Sequence, residues 1–310
     1  MTLRVDWLQG CGTALVTPFG ADGKIDEARI HALVERQIRG GVKLLVPCGT
    51  TGEAMTLTPD EQARVFRVTV EAARAGGAGA RVIAGVGSNA TAVTIERARA
   101  ARAAGVDGVL VVAPYYNKPT QAGLVAHFSA VAAAVPELPV VLYNVPGRTA
   151  SNIQAGTVLK LAKQVENIVG VKEASGDLGQ GMAIIRSRPA HFRVLSGDDA
   201  STLPLIALGA DGIISVVSNE VPGMMAQLTA AALEGDWRSA RELHYRLLPL
   251  MEANFLESNP GPVKAAMALM GLLEERLRLP LVPVEDSTRA RLRDILKELG
   301  VTDQPAHVAA

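Results

Sequence analysis

Lysine is among the residues least often fully buried, yet Lys172 lies inside the apolar, β-branched run Ile168-Val169-Gly170-Val171-Lys172-Glu173-Ala174. A run of this kind, with no clear period, suits a strand covered on both faces. An ammonium moved into such a place loses hydration, which favours the free amine. A free amine in a pocket condenses with a ketone to form a Schiff base. The same stretch also fits a lysine at a strand end that reaches solvent or pairs with Glu173, because structural ion pairs perturb lysines too. Taken alone, the stretch leaves both readings open.

Groups able to serve such an amine are present elsewhere in the chain. Phenol and alcohol hydroxyls pass protons through carbinolamine and enamine steps without setting a second cation beside the amine. Tyr143 is the best-placed donor and acceptor, and Thr50 and Tyr116 extend it into a relay. The amides of residues 49–52, with the Thr51 hydroxyl, suit a carboxylate, since turn amides bind anions. Arg148 suits a second carboxylate held bidentately, and reads equally as a surface arginine in a loop. The set fits attack of Lys172 on the ketone of a 2-oxo acid.

These residues need elements to bring them together. Strands read over residues 12–19, 43–48, 81–86, 108–114, 139–145, 168–174, 192–198 and 212–219. Helices read between and after them, over 26–39, 58–75, 91–104, 120–134, 154–164, 178–187, 200–208 and 222–234. The second helix has an explicit start, with Thr58 as N-cap, Pro59 at the first helical position and Glu61 at the capping-box position. Strand–helix alternation demands a parallel sheet covered by helices. Eight such units close a (βα)8 TIM barrel; the rival, an open doubly wound sheet, more often stops at about five or six strands. Helices alone follow Gly235, over 236–257, 262–273 and 286–299. The chain therefore divides into a barrel over residues 1–235, carrying the active site, and a C-terminal helical extension over residues 236–310, with a frayed end from Thr302.

In such a barrel the active site lies at the C-terminal ends of the strands. The second strand delivers Thr50 and Thr51 there, the fourth Tyr115 and Tyr116, and the fifth Tyr143 and, past a Pro-Gly turn, Arg148. The sixth delivers Lys172 and Glu173, the seventh Gly197 and Asp198, the eighth Ser218 and Asn219. Each tyrosine alone reads as an amphipathic plug, ring inward and hydroxyl wet. Three of the four tyrosines falling at one rim, in a chain with 4% aromatic residues, favours a chemical role for at least one.

Lys+Arg and Asp+Glu are both 31, so there is no basic field for nucleic acid or an anionic membrane. No uncharged apolar run reaches the roughly 18 residues of a membrane span. Cys11 and Cys48 lack CxxC spacing and no signal peptide is read, so reduced thiols in a cytoplasmic protein are expected. The histidines, His31, His127, His191, His244 and His307, lie far apart, and neither a metal nor a cofactor is expected. Gly85-Val86-Gly87-Ser88-Asn89-Ala90 matches the dinucleotide pattern GxGxxA, with Asp107 about 20 residues on. It falls in the third unit rather than the first, and the preferred reading is a tight strand-to-helix turn in which glycine relieves crowding.

Taken together, Gly49-Thr50-Thr51-Gly52-Glu53, Pro114-Tyr115-Tyr116-Asn117-Lys118-Pro119, Leu142-Tyr143-Asn144-Val145-Pro146-Gly147-Arg148-Thr149, Gly170-Val171-Lys172-Glu173-Ala174-Ser175-Gly176 and Leu195-Ser196-Gly197-Asp198-Asp199 resemble the dihydrodipicolinate synthase family in order and spacing. Asn259-Pro260-Gly261-Pro262-Val263-Lys264 and Leu279-Pro280-Leu281 resemble its C-terminal part. The likeness spans roughly residues 12–299. It implies condensation of pyruvate with L-aspartate 4-semialdehyde to 4-hydroxy-tetrahydrodipicolinate, on the route to diaminopimelate and lysine. It implies that Lys172 is the Schiff-base lysine, Tyr143 the general acid/base, and Thr50 and Tyr116 the rest of the relay. Thr51, Ile214 and Gly197 would bind pyruvate, and Arg148 the carboxylate of the semialdehyde. Tyr116 would reach the site of a neighbouring subunit, making a homodimer the minimal unit, usually doubled to a homotetramer. One departure stands out. Lysine-inhibited members carry histidine and glutamate where this chain has Pro59 and Val93, and Gln62 is a further polar or histidine position. Asn89 and Tyr115 remain, but a ligand ammonium would lose its carboxylate at Val93, so weak or absent feedback by L-lysine is expected. The nearest alternative is another pyruvate-dependent Schiff-base aldolase, an N-acetylneuraminate lyase or a 2-keto-3-deoxy sugar-acid aldolase, which Lys172, Tyr143 and the Thr50-Thr51 turn would serve equally. Arg148 and residues 259–264 favour the synthase. A catalytically silent binder on the same barrel is the alternative of a different class.

Overall fold

Val, Ile and Leu crowd the strands because each strand is buried on both faces. The computed structural model describes residues 5–77 and 79–301. Its strands are β1 (Gly10–Ala14), β2 (Leu44–Val46), β3 (Arg81–Gly85), β4 (Gly108–Val112), β5 (Val140–Asn144), β6 (Ile168–Glu173), β7 (Arg193–Ser196) and β8 (Gly212–Ser215). They pair in parallel in sequence order, and β8 returns to β1 to close the barrel. Around it run α1 (Glu27–Arg39), α2 (Pro59–Ala75), α3 (Thr91–Ala103), α4 (Gln121–Ala134), α5 (Pro146–Thr149), α6 (Ala155–Gln164), α7 (Leu178–Ser187), α8 (Thr202–Ala207) and α9 (Pro222–Glu234). The chain continues into α10 (Trp237–Ala253), α11 (Gly261–Leu269) and α12 (Asp286–Leu299). None of the described helices is long and apolar enough to cross a membrane. The frayed end expected from Thr302 lies outside the described residues.

Two apolar layers hold the barrel. The inner one gathers Leu44, Val46, Ile83, Leu110, Val141, Tyr143, Val169, Leu195 and Ile214. The outer one joins strand residues such as Val171 and Val194 to helix residues such as Phe66, Phe128 and Leu161. Leu250 and Met251 of α10, Ala265 and Ala266 of α11, and Leu292 and Ile295 of α12 belong to that same outer layer. A third cluster sets Val263 and Met267 of α11 against Val16 and Val216, just beyond β1 and β8.

Local signals explain several boundaries. The Thr58 capping box forms in full, with the Thr58 hydroxyl accepting from the Glu61 amide and Glu61 accepting from the Thr58 amide. The last strand, expected to run to residue 219, stops at Ser215. There Asp199 accepts from the amides of Val216 and Val217 at 3.0 and 3.3 Å, and the Ser215 hydroxyl accepts from the Ser218 amide at 2.9 Å. These bonds turn the chain into the short 3-10 helix Val217–Asn219. The first strand, expected over 12–19, occupies Gly10–Ala14. The glycines of the GxGxxA match answer to crowding. A Cβ on Gly85 would stand 2.2 Å from the Cys48 carbonyl oxygen, and one on Gly87 2.5 Å from the Val112 amide nitrogen. Asp107 lies at the other end of the barrel, accepting from the Val82 amide at 2.9 Å and pairing with Arg81 at 2.8 Å.

Candidate active site

Strand β6 carries a register irregularity that decides where Lys172 points. Val140 of β5 pairs with Ile168, but the next residue, Val141, pairs with Gly170. One extra residue is thus accommodated around Val169 and Gly170. Ile168 and Val171 both belong to the outer layer while Val169 belongs to the inner one. Simple alternation from Ile168 would send Lys172 outward with it. The bulge shifts the phase by one residue and turns Lys172 inward, the kind of re-aiming for which bulges near active sites are used. Gly170 permits it, since a Cβ there would stand 2.8 Å from the Arg193 carbonyl oxygen.

Lys172 is 4% exposed, and its Nζ lies 4.3 Å from the centroid of the Tyr143 ring. The two residues are direct register partners on β6 and β5. On the other side stands Gly197, where a Cβ would lie 2.9 Å from Lys172 Cε and 3.0 Å from its Cγ. Gly197 is therefore the space in which the lysine side chain lies. Ile214 is fully buried on β8, in the same inner layer as Tyr143.

Tyr143 forms part of the wall of a cavity of about 380 Å³ at the C-terminal ends of the strands, together with Thr50, Tyr115, Arg148 and Asn259. Arg148 is exposed on the short helix α5, which the sequence reading did not foresee. Tyr115 turns its hydroxyl to Met55 Sδ at 2.8 Å. Tyr116, its neighbour, points away and is 88% exposed, with a backbone φ of 74°. The structure thus brings Tyr143, Thr50 and Arg148 to one cavity wall, sets Lys172 buried against the Tyr143 ring, and leaves Tyr116 outside.

Thr51 is buried and accepts a hydrogen bond from Asn259 Nδ2 at 3.0 Å. Glu53, two residues on, pairs with Lys264, and both side chains are fully buried. Burial pulls the Lys264 ammonium below the usual lysine range, while the Glu53 carboxylate opposes the shift. Glu173 does not tie up the catalytic candidate. It accepts from Asn144 Nδ2, the Ser175 amide and Gln180 Nε2. Among the described residues no three His, Cys, Asp or Glu side chains gather as a metal cage.

Residues 7–299 match the family model described as the Dihydrodipicolinate synthetase family. The chain belongs to the dihydrodipicolinate synthetase family. It is 54% identical over 295 residues to the 4-hydroxy-tetrahydrodipicolinate synthase of Koribacter versatilis, covering 95% of this chain and 97% of that one. The corresponding enzyme of Nitratidesulfovibrio vulgaris is 50% identical over 293 residues, 94% of this chain and 99% of the relative. Among solved structures, the dihydrodipicolinate synthase of Aquifex aeolicus superposes with a TM-score of 0.92 at 43% identity, covering 95% of this chain and 99% of that one. That of Cyanidioschyzon merolae, solved with lysine bound, gives 0.92 at 41% identity over 95% and 99%.

Likeness to the dihydrodipicolinate synthetase family drew attention to residues 259–264 as a motif without giving them work to do. The structure places Asn259 on Thr51 and Lys264 on Glu53. No local pattern foretells those contacts, which cross 208 and 211 residues of chain.

Proposed function

We propose that this chain is a 4-hydroxy-tetrahydrodipicolinate synthase that condenses pyruvate with L-aspartate 4-semialdehyde, on the route to diaminopimelate and lysine. The observation that carries the reading is the inward Lys172, buried against the ring of Tyr143, which shares a cavity wall with Thr50 and Arg148. In this reading the Lys172 amine attacks C2 of pyruvate, and loss of water from the carbinolamine gives the imine. A proton leaves the pyruvate methyl group to form the enamine. The enamine carbon then attacks the aldehyde of the second substrate, whose own amine displaces Lys172 in closing the ring. Tyr143 is the proton donor and acceptor for these steps. Thr51 and the turn amides hold the pyruvate carboxylate, with Ile214 and Gly197 packed about the ketone. Arg148 takes the carboxylate of the semialdehyde.

Tyr116, exposed on its own subunit, completes the Thr50–Tyr143 relay in the neighbouring one. A homodimer is then the smallest competent form, and a homotetramer its doubling. The bond-making groups belong to the barrel, residues 1–235, and residues 236–310 are the C-terminal domain, which lends Asn259 to the cavity wall. Both cysteines are free and buried, in keeping with a cytoplasmic enzyme. No cofactor enters any step.

The test is an assay of the purified protein with pyruvate plus L-aspartate 4-semialdehyde, beside cleavage of N-acetylneuraminate and of 2-keto-3-deoxy sugar acids. Turnover of the first pair in preference to the others is expected. Faster cleavage of either acid would reassign the chain to the corresponding aldolase.

A further inference from the structure

The turn that carries Thr50 and Thr51 is bracketed by two non-glycine residues in the left-handed region, Cys48 and Glu53, each with a φ of 53°. Non-glycine residues hold that conformation only where the surroundings over-determine it. The turn also has no slack, for a Cβ on Gly52 would stand 2.9 Å from the Cys48 amide nitrogen and 3.0 Å from the Leu15 carbonyl oxygen. Part of the restraint comes from the barrel, where the Thr17 hydroxyl donates to the Gly52 carbonyl at 2.7 Å.

The rest comes from the far end of the chain. Lys264 reaches from α11 to the Glu53 carboxylate, donates to the Arg276 carbonyl at 2.7 Å, and lies 4.3 Å from the centroid of the Phe19 ring. The other Glu53 oxygen accepts from the Arg278 amide at 3.1 Å. Asn259, 5% exposed, meets Thr51 directly. An amide Nδ2 only donates. Its bond to Thr51 Oγ1 therefore occupies a lone pair of the hydroxyl and leaves the hydroxyl hydrogen for another acceptor. A carboxylate is an acceptor and nothing else, so the bond sets Thr51 in the polarity that carboxylate recognition needs.

We infer that Asn259 and Lys264 are positioning residues for the carboxylate of the 2-oxo acid, holding the strained 49–53 turn in place and fixing the Thr51 hydroxyl as a donor. The inference rests on the proposed synthase reading and extends it, because it makes the C-terminal segment part of the pyruvate site. Neither residue touches the reacting carbon. Their loss weakens the hold on pyruvate and leaves the chemistry of the bound state in place.

The test is steady-state kinetics on the full chain, with borohydride trapping of pyruvate as a second readout. Asn259→Leu is expected to raise the pyruvate KM about 10-fold. The kcat at saturating pyruvate and the KM for the semialdehyde should both stay within about twofold of the parent. In a Thr51→Val background the same change should raise the pyruvate KM by less than about twofold, because its effect passes through the hydroxyl. Lys264→Met alone strands a buried carboxylate and risks unfolding, so Glu53→Gln with Lys264→Met is the informative pair. It keeps the shapes, removes both charges, and should also raise the pyruvate KM several-fold. An unchanged pyruvate KM in both variants would overturn the inference. So would full additivity of Asn259→Leu with Thr51→Val, or a loss spread equally over kcat and both KM values. If the parent protein itself traps no pyruvate, the synthase reading fails. If it traps pyruvate and the variants bind it normally, only this inference fails.

Discussion

At the N-terminal end of the barrel Asp107 accepts from the Val82 amide, and four strands further on Asp211 accepts from the Val194 amide at 2.8 Å. Arg81 pairs with the first, Arg188 and Arg193 with the second. Asn167 donates to the carbonyls of Ala132, Val135 and Leu138. At the C-terminal end the polar side chains are arranged otherwise. Lys172 lies against a ring rather than a carboxylate, and Cys48 and Glu53, both in the cavity wall, hold positive φ. The two ends are built from the same strands. One binds its carboxylates to adjacent amides and guanidiniums and gains stability. The other sets Thr50, Tyr143 and Arg148 in a cavity wall that also holds Cys48 and Glu53 in left-handed conformations, at the end where function is carried in this fold.

The contrast can be broken from either end. Tyr143→Phe should lower kcat about 10²–10⁴-fold with little change in Tm, the usual range for removing a general acid/base; a kcat within a few-fold of the parent would remove Tyr143 from the chemistry. Gly197→Ala pushes a methyl group into the space of the Lys172 side chain. Displacing a reacting group by a fraction of its length costs about 10²-fold, so the rate of borohydride-trappable adduct should fall by that order in a protein that still folds. Asp211→Ala at the opposite end should cost about 1.5–3 kcal/mol in denaturant unfolding, in the range of hydrogen bonds to charged groups. Its kcat at a temperature where it stays folded should match the parent.

Two smaller effects sharpen the picture. Burial pushes the Asp199 carboxyl up to about 6, its bonds to Ser215, Val216 and Val217 opposing the shift. Between the ordinary aspartate range and pH 6 the folded chain therefore holds a proton that the unfolded chain has released. This contribution is fully present below that window and is lost as pH rises through it. Asp199→Asn should flatten that part of a Tm-against-pH curve; an unchanged slope would contradict the assignment. Finally, L-lysine at sub-millimolar concentration should leave the steady-state rate nearly unchanged, because Pro59 and Val93 provide no partner for an ammonium. A sharp fall in rate would show that other residues bind it.

Much of the fold was legible in the sequence because the alternation of β-branched runs with capped amphipathic stretches is a local signal. Eight units could be counted, and the Thr58 cap located, without any tertiary contact. What stayed hidden depends on contacts distant in sequence or on a single inserted residue. The bulge at Val169 and Gly170 reverses the face on which Lys172 appears, and periodicity alone points the wrong way there. The end of β8 is set by Asp199 from the neighbouring strand's loop, and the hold of Asn259 and Lys264 on the 49–53 turn is likewise set by folding. Lys172, Tyr143, Thr50, Thr51, Tyr116 and Arg148 were read from their chemistry and their place at strand ends, and Ile214 and Gly197 from the family resemblance. Their orientation needed the structure, above all for Tyr116, whose ring points outward.

Lys172 is the group proposed to bond to the 2-oxo acid. Incubation with pyruvate, reduction with borohydride and mass analysis of the digested protein test it directly. One reduced pyruvyl group per chain is expected, on the peptide containing Lys172, and none in Lys172→Met. An adduct on Lys264 or any other lysine, or equal labelling of Lys172→Met, would contradict it.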